Sequence, residues 1–123
     1  MIRPIFLVAL GGAVGSVLRY LTSAFFNKYS FNAFPMGTFI ANILGCLLIG
    51  ILIGSLDKSG SENSSLKWVL ITGFCGGYTT FSTFSLENLR LFQQGNYSLA
   101  LFYLFGSILL GFLAVGLGLF LVK

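Results

Sequence analysis

The chain has 123 residues, of which only ten are charged: seven Lys or Arg and three Asp or Glu, with no histidine. Hydrophobic residues make up 56% and the mean hydropathy is +0.94, whereas a soluble domain carries about a quarter charged residues. That shortfall excludes an ordinary water-soluble globule, whose surface ten charges do not cover. It also excludes intrinsic disorder, and a surplus of four positive charges gives little support to a nucleic-acid partner.

The charges are Arg3, Arg19, Lys28, Asp57, Lys58, Glu62, Lys67, Glu87, Arg90 and Lys123, and the gaps between them define the elements. A spanning helix needs about 20 largely apolar residues. Four spans are expected, at about 5–26, 36–56, 67–92 and 98–122, as a single transmembrane domain over 1–123. The first is interrupted only by Arg19. Arg3 followed by IFLVALGGAVG has the cast of a signal peptide, but three more spans and no soluble domain would follow a cleavage, so the segment reads as a span. An aromatic and polar link, Asn27 to Pro35, leads into the second, charge-free span. The segment Leu56 to Leu66 reads as an aqueous loop, and QQGNY (Gln93–Tyr97) as a tight turn before the fourth span. Cys46 and Cys75 lie inside spans at no metal spacing and read as small packing residues.

Four spans place both termini on one side, with Arg3, Lys58, Lys67 and Lys123. Lys28 and Arg90, and Arg19 if it snorkels outward, fall on the other. So small a bias under the positive-inside rule permits insertion in both orientations, hence an antiparallel pair; a single fixed orientation stays open. Gly11/Gly15, Gly50/Gly54, Ala41/Gly45 and Ser107/Gly111 are small-xxx-small pairs that let helix backbones approach closely. Thirteen kilodaltons enclose little of a polar pathway, so a homo-oligomer is expected.

Polar groups inside spans are costly and face partners or pathways. Arg19 either snorkels or attracts anions in a vestibule. Thr38 and Asn42 are four apart and share a helix face; they either line a path or join helices. In GFCGGYTTFSTFSLE (Gly73–Glu87), Gly76, Gly77 and the threonines that follow make a poor helix. A break is expected there, tolerated only where it is buried or lines a cavity, with carbonyls exposed that hold a cation. Phe81 and Phe84 follow on one face, among Ser82, Thr83 and Ser85. Tyr103 and Ser107 share a face of the fourth span, where Tyr103 alternatively reads as an interfacial belt residue. Glu87 lies three residues from Arg90 and within pairing reach. Apart from Glu87 the spans offer neutral donors and no acid or histidine relay, which favours an anion, as does the positive edge of a phenyl ring.

On GGAVGSVLRY (Gly11–Tyr20), GTFIANILGCLLIG (Gly37–Gly50), GFCGGYTTFSTFSLE and YLFGS (Tyr103–Ser107), the sequence resembles the small bacterial fluoride channels of the Fluc (CrcB) family over nearly its whole length. The resemblance implies an all-α integral membrane protein of four transmembrane helices, the third broken mid-membrane. It implies an antiparallel, dual-topology homodimer in the bacterial plasma membrane, with two pores that passively export fluoride and so protect against its toxicity. Phe81 and Phe84 would be the phenylalanine box and Asn42 the pore amide. Ser82, Thr83, Tyr103, Ser107 and Thr38 would be polar lining, and Arg19 and Glu87 would sit at vestibule and pore mouth. The carbonyls of Gly76 and Thr79 would hold a structural sodium ion on the dimer axis. A small multidrug exporter is disfavoured because the first span has no acid. An assembly protein whose polar groups only join helices is the next alternative. An enzyme is disfavoured by the lack of a nucleophile–base pair or metal cluster.

Overall fold

The computed structural model describes residues 1–29, 33–60 and 64–123. The middle parts of the two expected links, including Glu62, lie outside the described residues. The chain is helical: α1 (Ile2–Asn27), α2 (Met36–Ser59), α3 (Ser64–Leu66) leading into a π-helical segment (Lys67–Cys75), α4 (Gly76–Tyr78), α5 (Phe81–Gln93) and α6 (Tyr97–Leu121). Among the described residues, three helices, α1, α2 and α6, are long and apolar enough to cross a membrane. With the bent run between α2 and α6, this is a multi-pass helical membrane protein. Phe102, Phe105, Leu109, Phe112 and Phe120 of α6 stay exposed, an arrangement that costs nothing in lipid and a great deal in water.

The run expected as span 67–92 is two helical stretches around an extended pair. Thr79 (φ −92°, ψ 159°) and Thr80 (φ −152°, ψ 123°) leave the helix. The break expected over the glycines and the threonines after them falls on the threonine half of that stretch. Gly76 has φ −63° and ψ −35°, and both glycines are helical. Gly77 is small for another reason: a Cβ there would press on the Gly12 backbone of α1. A boundary correction concerns α2, which continues through Asp57 and Lys58 to Ser59. Gly60 ends it in the left-handed region at φ 67°, as C-terminal glycines do. The QQGNY turn is seen as expected, with Gly95 at φ 80° and α6 starting at Tyr97.

Helix pairing follows the small residues. The most extensive contacts are α2 with α6 and α1 with the π-helical segment. A Cβ at Gly11 would strike the Val69 carbonyl oxygen, and one at Gly15 the Phe74 carbonyl oxygen. Across α2 and α6, a Cβ at Gly50 would strike the Val115 carbonyl oxygen. These pairs therefore join helices within one chain. The π-helical segment is a wide coil of nine residues, a form met mostly as single turns near functional sites. Helix ends are tied as well. Arg3 donates to Ser65 Oγ at 2.9 Å, Lys58 Nζ to the Lys123 carbonyl at 3.4 Å, and the Gly37 amide to Asn27 Oδ1 at 3.0 Å. Cys46 and Cys75 are free thiols, Cys75 buried.

Because Gly11 meets backbone, which cannot turn aside, Gly11→Val is expected to abolish the monodisperse folded species in detergent size-exclusion chromatography. Gly116→Ala, where a Cβ has no neighbour within 4 Å, is expected to run as wild type.

Candidate functional site

Breaking a helix at membrane depth orphans backbone groups that lipid cannot satisfy. At Thr80 both groups are taken by one side chain. The Asn42 Nδ2 amide donates to the Thr80 carbonyl at 3.1 Å, and the Thr80 N–H donates to Asn42 Oδ1 at 2.8 Å. The Thr80 hydroxyl then accepts from the Thr83 N–H at 3.2 Å, the N-cap arrangement that restarts a helix. Thr80 Oγ1 and Ser82 Oγ lie 3.3 Å apart. Asn42 thus clamps the break that gives α5 its start.

The clamp changes which carbonyls are free. In an uninterrupted α-helix the Gly76 carbonyl takes its proton from residue 80 and the Thr79 carbonyl from residue 83. Here those N–H groups are directed to Asn42 and to the Thr80 hydroxyl. Gly77 loses its partner too, and its carbonyl accepts from Arg19 Nε at 3.1 Å. Thr22 Oγ1 lies 2.9 Å from the Tyr78 hydroxyl, fixing α1 to the same place. Arg19 is therefore anchored on the break, half-buried, with neither a fully snorkelled side chain nor a free one. Gly76 and Thr79 border a cavity of about 190 Å³ with Gly45, Cys46, Thr72 and Cys75. Carbonyl oxygens deprived of their helical donors are the hard ligands a sodium-sized cation takes, so the donor set suits such an ion.

Beyond the break, Phe81 and Phe84 have ring centroids 5.9 Å apart. Phe84 is 6% exposed and Phe81 79%. They line a cavity of about 250 Å³ together with Asn42, Thr79, Thr80, Ser107 and Ile108. The Ser107 hydroxyl is buried with no hydrogen-bond partner. Tyr103, alternatively read as a belt residue, is fully buried; its ring meets Phe84 edge to face at 5.0 Å. Thr83 and the exposed Ser82 stand at the α5 start. Asn42, Phe81, Phe84 and Ser107 are thus brought to one cavity, and Thr38 and Tyr103 gather a short way along α5.

There Glu87 holds the centre. Thr38 Oγ1 donates to Glu87 Oε2 at 3.0 Å, and the Tyr103 hydroxyl to Oε1 at 2.9 Å. The ion pair with Arg90 that the spacing allowed is not formed; the carboxylate is turned to two hydroxyls from α2 and α6, and Arg90 acts on it only at longer range. Sequence reasoning also missed three residues. Thr80 is the cap and the clamp's target; its threonine-rich setting was a usable signal. Asn27 ties α1 to α2. Asn88 is 7% exposed, donates to the Phe84 carbonyl at 3.0 Å and leaves Oδ1 unpartnered; a polar residue amid apolar neighbours was the signal there.

Comparison with known proteins adds an independent finding. A family model described as CrcB-like protein, Camphor Resistance (CrcB), matches residues 6–119. A Flavobacterium psychrophilum protein named fluoride-specific ion channel FluC is 50% identical over 121 residues, 98% of each chain. Proteins of the same name from Azobacteroides pseudotrichonymphae (46% over 123 residues, 100% of this chain and 98% of the relative) and Phocaeicola vulgatus (44% over 119, 97% and 98%) are similar along their full lengths.

Asn42→Ala is expected to leave the Thr80 N–H and carbonyl unpaired. Each such group costs about 1–3 kcal/mol, so a clear fall in thermal unfolding temperature in detergent is expected, and Asn42→Asp, which keeps the acceptor, falls in between.

Proposed function

The chain belongs to the CrcB family, and on that footing we propose that it is a fluoride-selective channel. The family's members named above are ion channels, not enzymes. One observation carries the reading to this chain. The cavity between α2, α5 and α6 presents neutral hydrogen-bond groups and phenyl rings, with the Ser107 hydroxyl still unmatched. Fluoride is small and strongly hydrated, so a pore must replace its water with donors. It must also hold the ion weakly enough at successive sites for it to leave. Hydroxyls, an amide and ring edges from Ser82, Thr83, Phe81, Phe84, Asn42, Ser107, Tyr103 and Thr38 supply graded contacts of that kind, whereas a lone lysine would trap the ion. Arg19 spends Nε on Gly77 and keeps its other guanidinium N–H groups for a vestibule.

We further propose four membrane passes in a single domain and an antiparallel homodimer. The near-even charge distribution permits both orientations. Phe81, 79% exposed in one copy, and exposed Thr72 and Gly76, four apart on one face, offer a surface for an inverted copy. Each dimer would then hold two pores, with Glu87 near a mouth. The Gly76 and Thr79 carbonyls of both copies would hold a sodium ion, whose role is to neutralise their converging dipoles. Conduction is passive. In the plasma membrane an inside-negative potential is worth about 2.3 kcal/mol per charge per 100 mV, which drives an anion outward and relieves the cytoplasm of fluoride.

Reconstituted in liposomes, the protein is expected to release fluoride and retain chloride, followed with ion-selective electrodes; no fluoride release, or equal chloride release, rejects the channel. Phe81→Ile and Phe84→Ile are expected to abolish flux while the dimer persists on size exclusion. Reporters fused to the C-terminus are expected to be found on both sides of the membrane, and a single orientation rejects dual topology.

A further inference from the structure

Glu87 is the acid that the sequence places within a span, and its partners are unusual for a buried carboxylate. No cation touches it among the described residues. Both oxygens are held by neutral hydroxyls, Thr38 at 3.0 Å and Tyr103 at 2.9 Å, whose residues are 5% and 0% exposed. A hydroxyl has one proton and donates to one acceptor at a time. While Glu87 holds these two, they have none to give to a passing ion. The donor pair is therefore built for an anion, and in this structure the anion is the protein's own.

The carboxylate also has somewhere to go. It opens on a cavity of about 170 Å³ lined by Ala33, Pro35, Glu87, Arg90, Leu91 and Gln94. Arg90 lies one turn along the same helix. The groups facing Glu87 are the titratable Tyr103 from α6, the neutral Thr38 from α2 and the charged Arg90 from α5. The side chain rests inward on the hydroxyls, and the space outward of it is a cavity that a guanidinium also lines.

We infer that Glu87 is a tethered competitor for the permeant anion, occupying the Thr38–Tyr103 donor pair until an incoming ion displaces it toward Arg90. This rests on the channel reading above and adds a role that lining alone does not include. Displacement sets a threshold: an entering ion must outbid a carboxylate for two hydroxyls. Fluoride, the strongest hydrogen-bond acceptor among the halides, meets that threshold; chloride, a weak acceptor, does not. In the absence of an ion the tether keeps two buried hydroxyls matched, so the path stays folded around a polar centre.

The test is the fluoride dependence of initial efflux from proteoliposomes. If the donor pair is free about one-tenth of the time, the half-saturating concentration is raised about tenfold. Glu87→Ala should lower it by that factor without raising the maximal rate per protein, while Glu87→Asp, which keeps the charge on a shorter stem, should lower it by less. Glu87→Gln serves if the alanine variant fails to yield a folded dimer. The same substitution is then made in a Thr38→Val/Tyr103→Phe background, where no donors remain to be released and the fall should vanish. A half-saturating concentration that does not fall in the first background, or falls equally in the second, overturns the inference; the latter would mean simple charge repulsion. A wild-type protein that passes no fluoride overturns the channel reading itself, and this inference with it. A conducting wild type whose variants fail these comparisons overturns this inference alone.

Discussion

Hydrocarbon offers no hydrogen bonds, so every backbone group released inside it must find a partner in the protein. Where Thr79 and Thr80 leave the helix, that demand falls on Asn42. Its amide has a donor and an acceptor on one rigid plane, and Thr80 presents a carbonyl and an N–H to match them. Much of the site's geometry follows from this reciprocal pair. The Thr80 hydroxyl is left to cap α5. The Gly76 and Thr79 carbonyls lose their helical donors. The Gly77 carbonyl becomes available to Arg19. A single side chain on α2 thereby fixes the restart of α5, a candidate cation cradle and the position of the charge in α1.

The second polar centre is built on the same helix face. Thr38 lies four residues before Asn42, so α2 touches the third run twice, once at the break and once at Glu87. Between those contacts lies Phe84, enclosed against Tyr103. The buried stripe of α5, Phe84, Asn88 and Leu91, follows a helical spacing. Phe81 and Ser82 stand off that stripe and remain exposed. A short helix with a buried apolar edge and an exposed aromatic start needs anchors at both ends, which the clamp at Thr80 and the hydroxyl pair at Glu87 supply.

The sequence revealed the membrane class, the helix positions and the residues around the cavity, because hydropathy and spacing along one helix are local properties. The break was legible in the run of two glycines and two threonines; which of them leave the helix was not. Glycine has low helix propensity and threonine competes for the backbone, so both pairs were candidates. Propensity is overridden when a close neighbour requires the missing Cβ, as Gly12 does for Gly77. The threonines leave the helix where Thr80 finds its partner 38 residues away, and that partner is not announced locally. Glu87 shows the same limit. Arg90 was near in sequence, whereas its true partners are 49 and 16 residues distant. The glycine pairs read as sites of close helix approach join helices within the chain.

The few charges at membrane depth explain why a neutral lining is possible at all. Arg19 is partly compensated by a carbonyl and Glu87 by two hydroxyls, so neither stands in the cavity beside Phe81 and Phe84 as a bare charge. Dipoles that compensate a charge locally leave little long-range field to trap or repel an ion, yet each keeps capacity in reserve: Arg19 has further N–H groups, and the hydroxyls can change acceptor. On the proposed reading, weak holding at successive sites then comes from the same bonds that stabilise the fold. The single chain does not complete this design. Phe81 and Gly76 remain exposed on it, the one at the candidate path and the other at the candidate cradle. Both candidate sites therefore end at open surface, which the inverted copy proposed above would close with its own ring and carbonyls.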